Sequence, residues 1–216
     1  MCGLAAAAPA FADSLALDFT GGTYPTGIRL LDSTVGWTFT VNSSVTVAAL
    51  GVFDFGSDGL ALSHQVGIWD STGTLLVSTT VSGSGTLTVN STSTDGQWVF
   101  NGAMLLSSAG AATLGPGQYT IGALYTSLTD GTHDIVMAHA TSTTDPAITF
   151  GDTAETLGSS FVQPTFLFPA ANDGGFGPNF LLVSDAVLAP EPATWGLMIL
   201  AFAGLGFARR RRGLAS

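Results

Sequence analysis

Lysine is absent from this 216-residue chain, and four of its five arginines stand together as Arg209, Arg210, Arg211 and Arg212. Ahead of that cluster, fifteen acids face the single base Arg29. A surface with that balance repels phosphate backbones, which excludes nucleic acid as a partner, and it attracts divalent cations or basic partners. Without lysine there is no Schiff-base nucleophile. Charged residues make up only 9% of the chain, well below what a coiled coil or helical bundle carries.

Other absences narrow the chemistry further. Cys2 is the only cysteine, so the body has no disulfide, no thiol nucleophile and no thiolate metal site. Histidine occurs only at 64, 133 and 139. On one extended strand His133 and His139 would lie about 20 Å apart, too far to share a metal. There is no P-loop and no dinucleotide fingerprint, and "SGSG" at 82–85 has the wrong spacing for a nucleophile elbow. Glutamate occurs only at 155 and 191, whereas a glycosidase needs two positioned carboxylates. These gaps predict a protein that is not an enzyme. A hydrolase acting on extracellular polysaccharide through Asp152 or Glu155 is the alternative they leave.

What the chain does have is 28 glycines, 9 prolines, abundant serine and threonine, and 46% hydrophobic residues. Turn signals recur at short intervals, among them Ser57-Asp58-Gly59, Ser71-Thr72-Gly73, Asp95-Gly96 and Gly115-Pro116-Gly117. Between them run segments of period two: "GWTFTVN", "VTVAALGVF", "QVGIWD", "TLLVSTTV", "QWVFN", "QYTIGALY", "HDIVMAHA" and "NFLLVS". Strands without intervening helices predict an all-β fold, an antiparallel β-sandwich with jelly-roll or Greek-key connections, followed by a C-terminal hydrophobic helix. The stretch from Thr141 to Asn179, rich in Gly and Pro with Phe161, Phe166, Phe168 and Phe176, reads as a long loop packed over the sandwich.

The ends carry routing information. "MCGLAAAAPAFADS" closes in Ala10-Phe11-Ala12, a small-residue cleavage site before Asp13, so residues 1–12 read as the remnant of a secretory signal peptide whose true start lies upstream. Sixteen uncharged residues run from Ala193 to Ala208. As a helix they span about 24 Å, short of the ~30 Å hydrocarbon layer. The arginines behind them favour the cytoplasmic side, and Pro190 and Pro192 keep the segment ahead extended.

Pro190-Glu191-Pro192, Trp195-Gly196, the apolar stretch and Arg209 to Arg212 together resemble the PEP-CTERM sorting signal of Gram-negative bacteria. The resemblance implies processing by the membrane transpeptidase exosortase, membrane contact through the C-terminal helix beforehand, and a final location at the cell surface or outside the cell. It further implies association with exopolysaccharide. A second resemblance covers Gly36 to Ala123, where "GWTF", "LGVFD", "VGIWD" and "PGQYTIGA" are similar to a domain of unknown function in exported bacterial proteins. Its implied fold is a β-sandwich. The expected organisation is residues 1–12 signal remnant, 13–185 sandwich and 186–216 sorting signal.

Within the sandwich, Asp54, Asp58 and Asp70 form the densest acid group and a candidate Ca2+ site. The spacing falls short of an EF-hand, because Gln65 stands where the twelfth-position glutamate belongs. Turn-shaping is the competing role for these aspartates. Trp69, out of phase with Val66 and Ile68, is the candidate surface aromatic for stacking on a sugar, and Arg29 the candidate ligand-orienting base. These residues define a further alternative, a calcium-dependent carbohydrate-binding module.

Overall fold

The computed structural model of the chain describes residues 14–23, 32–83, 87–101, 112–126, 137–168 and 176–183, with the backbone alone at 23, 137–139 and 168. After the short β1 (Ser14–Leu15) and β2 (Leu17–Thr23), the alternation of Trp37, Phe39 and Val41 with threonine produces β3 (Ser33–Val41). There follow β4 (Val45–Phe55), β5 (His64–Asp70), β6 (Leu75–Val81), β7 (Leu87–Asn90) and β8 (Gly96–Asn101). The remaining strands are β9 (Ala112–Leu114), β10 (Gly117–Tyr125), β11 (Met137–Thr144), β12 (Ile148–Leu157), β13 (Phe166–Phe168) and β14 (Pro178–Val183).

One sheet runs β1-β14-β4-β8-β7, with β9 also on β4, and the other runs β13-β12-β3-β10-β5-β6. The remaining pair, β2 and β11, makes a two-stranded ribbon. The chain passes between these two sheets at β3–β4, β4–β5, β6–β7, β9–β10 and β13–β14. The orders β1-β14-β4-β8 and β3-β10-β5-β6 are therefore those of two Greek keys folded face to face, a jelly roll. The expected all-β antiparallel sandwich is the fold observed. No described helix is long and apolar enough to cross a membrane; the expected C-terminal helix lies outside the described residues.

Aromatic rings close the core between the sheets. Trp37 of β3 stacks on Phe180 of β14 with ring centres 6.0 Å apart, and its Nε1 donates to the carbonyl of Pro178 at 2.9 Å. Phe19 of β2 meets Phe53 of β4 at 4.8 Å, and Phe53 meets Trp98 of β8 at 5.2 Å. Such pairs add about 0.5–1.5 kcal/mol each beyond the area they bury. Strand β4 is buried without a break from Val47 to Asp54, as its apolar run on both faces foretells.

The stretch from Thr141 to Asn179 departs from expectation. Much of it is strand: β11 continues to Thr144, and β12 extends the second sheet beyond β3. Between Phe150 and Thr153 the register shifts, so that Gly151 and Asp152 together oppose Thr38. This bulge breaks the period of two that would have announced the strand. The Thr38 hydroxyl fixes it, accepting from the Asp152 N–H at 2.8 Å and donating to the Asp152 carbonyl at 3.2 Å.

Candidate functional site

The outer face of the second sheet carries a row of small residues in register: Ala154, Gly36, Gly122, Gly67 and Ser78, one from each of β12, β3, β10, β5 and β6. With so little side chain along that line, the 158–165 segment folds back flat onto the strands. A Cβ on Gly122 would stand 2.9 Å from Cδ of Pro164, and one on Gly67 would stand 2.9 Å from the Phe161 ring. Polar contacts pin the strap. The Thr34 hydroxyl donates to the Ser160 carbonyl at 3.3 Å and accepts from the Val162 N–H at 3.4 Å, and Gln163 Nε2 donates to Thr120 Oγ1 at 3.3 Å.

Beside the strap the same face opens into a groove of about 490 Å³. Its floor is two cross-strand pairs, Thr38 with Thr120 and Thr40 with Gln118. These residues point outward because their neighbours Trp37, Phe39 and Ile121 point into the core. The bulge residues Gly151 and Asp152 form one wall, Ser71 of the β5–β6 turn another, and Pro164 and Leu167 an apolar end. Apart from that end, the lining among the described residues is mainly hydroxyl, amide and carboxylate, and it includes no arginine, lysine or histidine. Sequence reasoning passed over Thr38, Thr40, Gln118 and Thr120; the available signal was the polar phase of two strands whose other phase is aromatic.

The three aspartates of the calcium reading serve separate local structures. Asp54 is fully buried, where its carboxylate accepts from the Gly59 N–H at 3.2 Å and from Gln97 Nε2 at 2.9 Å. Asp58 is exposed in the turn that Gly59, at φ +96°, completes. Asp70 accepts from the Thr72 hydroxyl at 2.7 Å, the Thr72 N–H at 2.9 Å and the Thr74 N–H at 3.0 Å. These bonds, the Thr72 hydroxyl first, hold the Asp70 carboxyl below its ordinary pKa. Among the described residues no three His, Cys, Asp or Glu side chains gather into a metal-holding group. Asp54, Asp58 and Asp70 therefore do not form the expected calcium site, because turn and strand hydrogen bonds have claimed two of the carboxylates.

Trp69 does lie on the outer face, as its phase requires, but it is only 4% exposed. The Phe161 ring covers it at 4.9 Å. The expectation of an open stacking platform is corrected: its cover arrives from a strap 92 residues downstream. His64 is buried, with Nδ1 3.1 Å from the Leu124 carbonyl and its ring 4.5 Å from Tyr125, a hydrogen-bonded packing residue. Asp152 lines the groove, whereas Glu155 lines a separate hollow with Leu157 and Phe166. Arg29 and the motif residues Pro190, Glu191, Pro192, Trp195, Arg209, Arg210, Arg211 and Arg212 lie outside the described residues.

Comparison with known protein families matches residues 188–212 to the PEP-CTERM protein-sorting motif. No curated protein and no solved structure matches the chain. The motif supports an exported protein that is a substrate of exosortase, sorted to the cell envelope or surface.

Proposed function

We propose that this chain is a non-enzymatic surface or matrix protein of a Gram-negative bacterium, trimmed at its C-terminus during export and associated with exopolysaccharide. The observation that carries the reading is the sorting motif at 188–212, which begins after the last described strand ends at Val183. Cleavage within the motif removes none of the described strands, so the sandwich is the part delivered. Before cleavage the apolar segment 193–208 holds the chain in the inner membrane, with the arginine cluster on the cytoplasmic side and the acidic body outside.

A structural rather than catalytic role is supported by the placing of Asp152 and Glu155 in different hollows, since glycoside hydrolysis needs two carboxyl groups flanking one bond. The test is mass spectrometry of the protein recovered from its host with and without exosortase. The expected result is a mature form ending upstream of Arg209, present only in the strain with the enzyme. Extracellular protein that keeps the arginine cluster in both strains would overturn the reading.

A further inference from the structure

We infer that the groove over β3 and β10 is the subsite through which this protein holds a neutral, polyhydroxylated polysaccharide; this rests on the exopolysaccharide association proposed above and deepens it. The charge of the lining excludes most other ligands. Phosphate, sulfate or uronate groups are held best by a cation, and the described lining has none, within a body whose only arginine ahead of the terminal cluster is Arg29. A purely apolar ligand would bury the Thr40 hydroxyl and the Gln118 amide without a partner, at about 1–3 kcal/mol for each group. A basic ligand would find one carboxylate, Asp152, among the described lining residues.

A sugar chain meets both halves of what is present. Its hydroxyls both donate and accept, which suits threonine hydroxyls and a glutamine amide. Its C–H faces suit Pro164 and Leu167 at the groove's end. The spacing also fits. The Thr38–Thr120 and Thr40–Gln118 pairs lie two residues apart along antiparallel strands, so they repeat at about 6.8 Å, on the scale of one sugar unit. The bulge sets the wall. Gly151 and Asp152 share the place of one residue opposite Thr38, which sets both against the groove. Because Thr38 and Thr120 are already tied to Asp152 and Gln163, the floor is set before a ligand arrives.

The test is affinity electrophoresis of the full-length chain in a zwitterionic detergent. The gels contain dextran, galactomannan, a β-1,3-glucan or the purified exopolysaccharide of the host, with alginate as the anionic control. The expected result is retardation by at least one neutral polymer and none by alginate. The double substitution Thr40→Val with Gln118→Leu keeps the floor's shape and should raise the dissociation constant at least tenfold. Ser71→Trp, made in an exposed turn, should block the groove and do the same. Circular dichroism and melting temperature show whether each variant is folded. Retardation that survives both folded variants overturns the groove while leaving the exopolysaccharide association standing. Retardation by alginate or a charged host polymer alone overturns the neutral-ligand groove while leaving an exopolysaccharide association standing; no retardation by any polymer, the host's included, overturns both and leaves the sorting route untouched.

Discussion

Asn179 takes the place of a strand for Leu17, 162 residues away: its Nδ2 donates to the Leu17 carbonyl at 2.6 Å, and its Oδ1 accepts the Leu17 N–H at 3.3 Å. The same Oδ1 accepts the N–H of Phe180 at 2.9 Å. The contact falls just past the break between β1 and β2, and it is fully buried. Here β2, the continuation of β1 past that break, is tied to β14.

Asn179→Ala leaves a buried donor and a buried acceptor of Leu17 without partners. The Phe180 N–H loses its partner as well, and the expected loss is about 3 kcal/mol, from the desolvation of the three stranded backbone groups. Chemical denaturation checks it. Asn179→Asp keeps the acceptor, loses the donor and sets a carboxylate against a carbonyl, so it should be no more stable than the alanine variant. A loss below about 0.5 kcal/mol in Asn179→Ala would show that the closure is carried elsewhere.

Gly122 tests the strap. A methyl group there meets Pro164 Cδ at 2.9 Å and Thr34 Cγ2 at 3.0 Å. Gly122→Ala should therefore cost about 1–3 kcal/mol through overpacking. Part of the strain is relieved if the strap lifts, so limited proteolysis should cut faster within 158–165 in the variant than in the parent. Equal cleavage rates would mean that the sheet, and not the strap, absorbs the added atom.

Phe161→Ala uncovers Trp69 without touching the groove floor. The variant should show a red-shifted tryptophan emission and gain accessibility to a neutral quencher, while Trp37 and Trp98 stay fully buried. Stability should fall by about 3 kcal/mol, within the range for removing a packed aromatic. An unchanged emission spectrum would place Trp69 under some cover other than Phe161.

How far these features can be read from the chain depends on how local their causes are. Trp37, Phe39 and Val41 declare their face through alternation alone, and so do most strands. Strand β12 does not, because Gly151 and Asp152 spoil its period at the place where a bulge shapes the groove wall. Trp69 declares its face but not its burial, since Phe161 comes from a distant strap laid on glycines of two different strands. Asp54 reads as a candidate metal ligand and is buried, its carboxylate accepting from the Gly59 N–H of the turn and from Gln97 on the neighbouring β8. The sorting motif is fully legible because it is recognised as extended sequence and asks nothing of tertiary structure.

Asp70 gives the molecule one predictable response to acid. In the folded chain the Thr72 hydroxyl, then the Thr74 N–H, hold its carboxyl below the ordinary value of 3.8. The unfolded chain has no such partners, so near that value it binds more protons than the folded one. The stabilisation is complete above pH 3.8 and is lost as the pH falls through the lowered folded value. Asp70→Asn keeps an oxygen for the same donors but cannot titrate. Melting temperatures of parent and variant, compared from about pH 6 down to about pH 2.5, should differ most at the upper end and converge at the lower. The remaining acids titrate in both proteins and cancel in the comparison. A difference independent of pH would show that the turn gains nothing from the charge of Asp70 and only uses its shape.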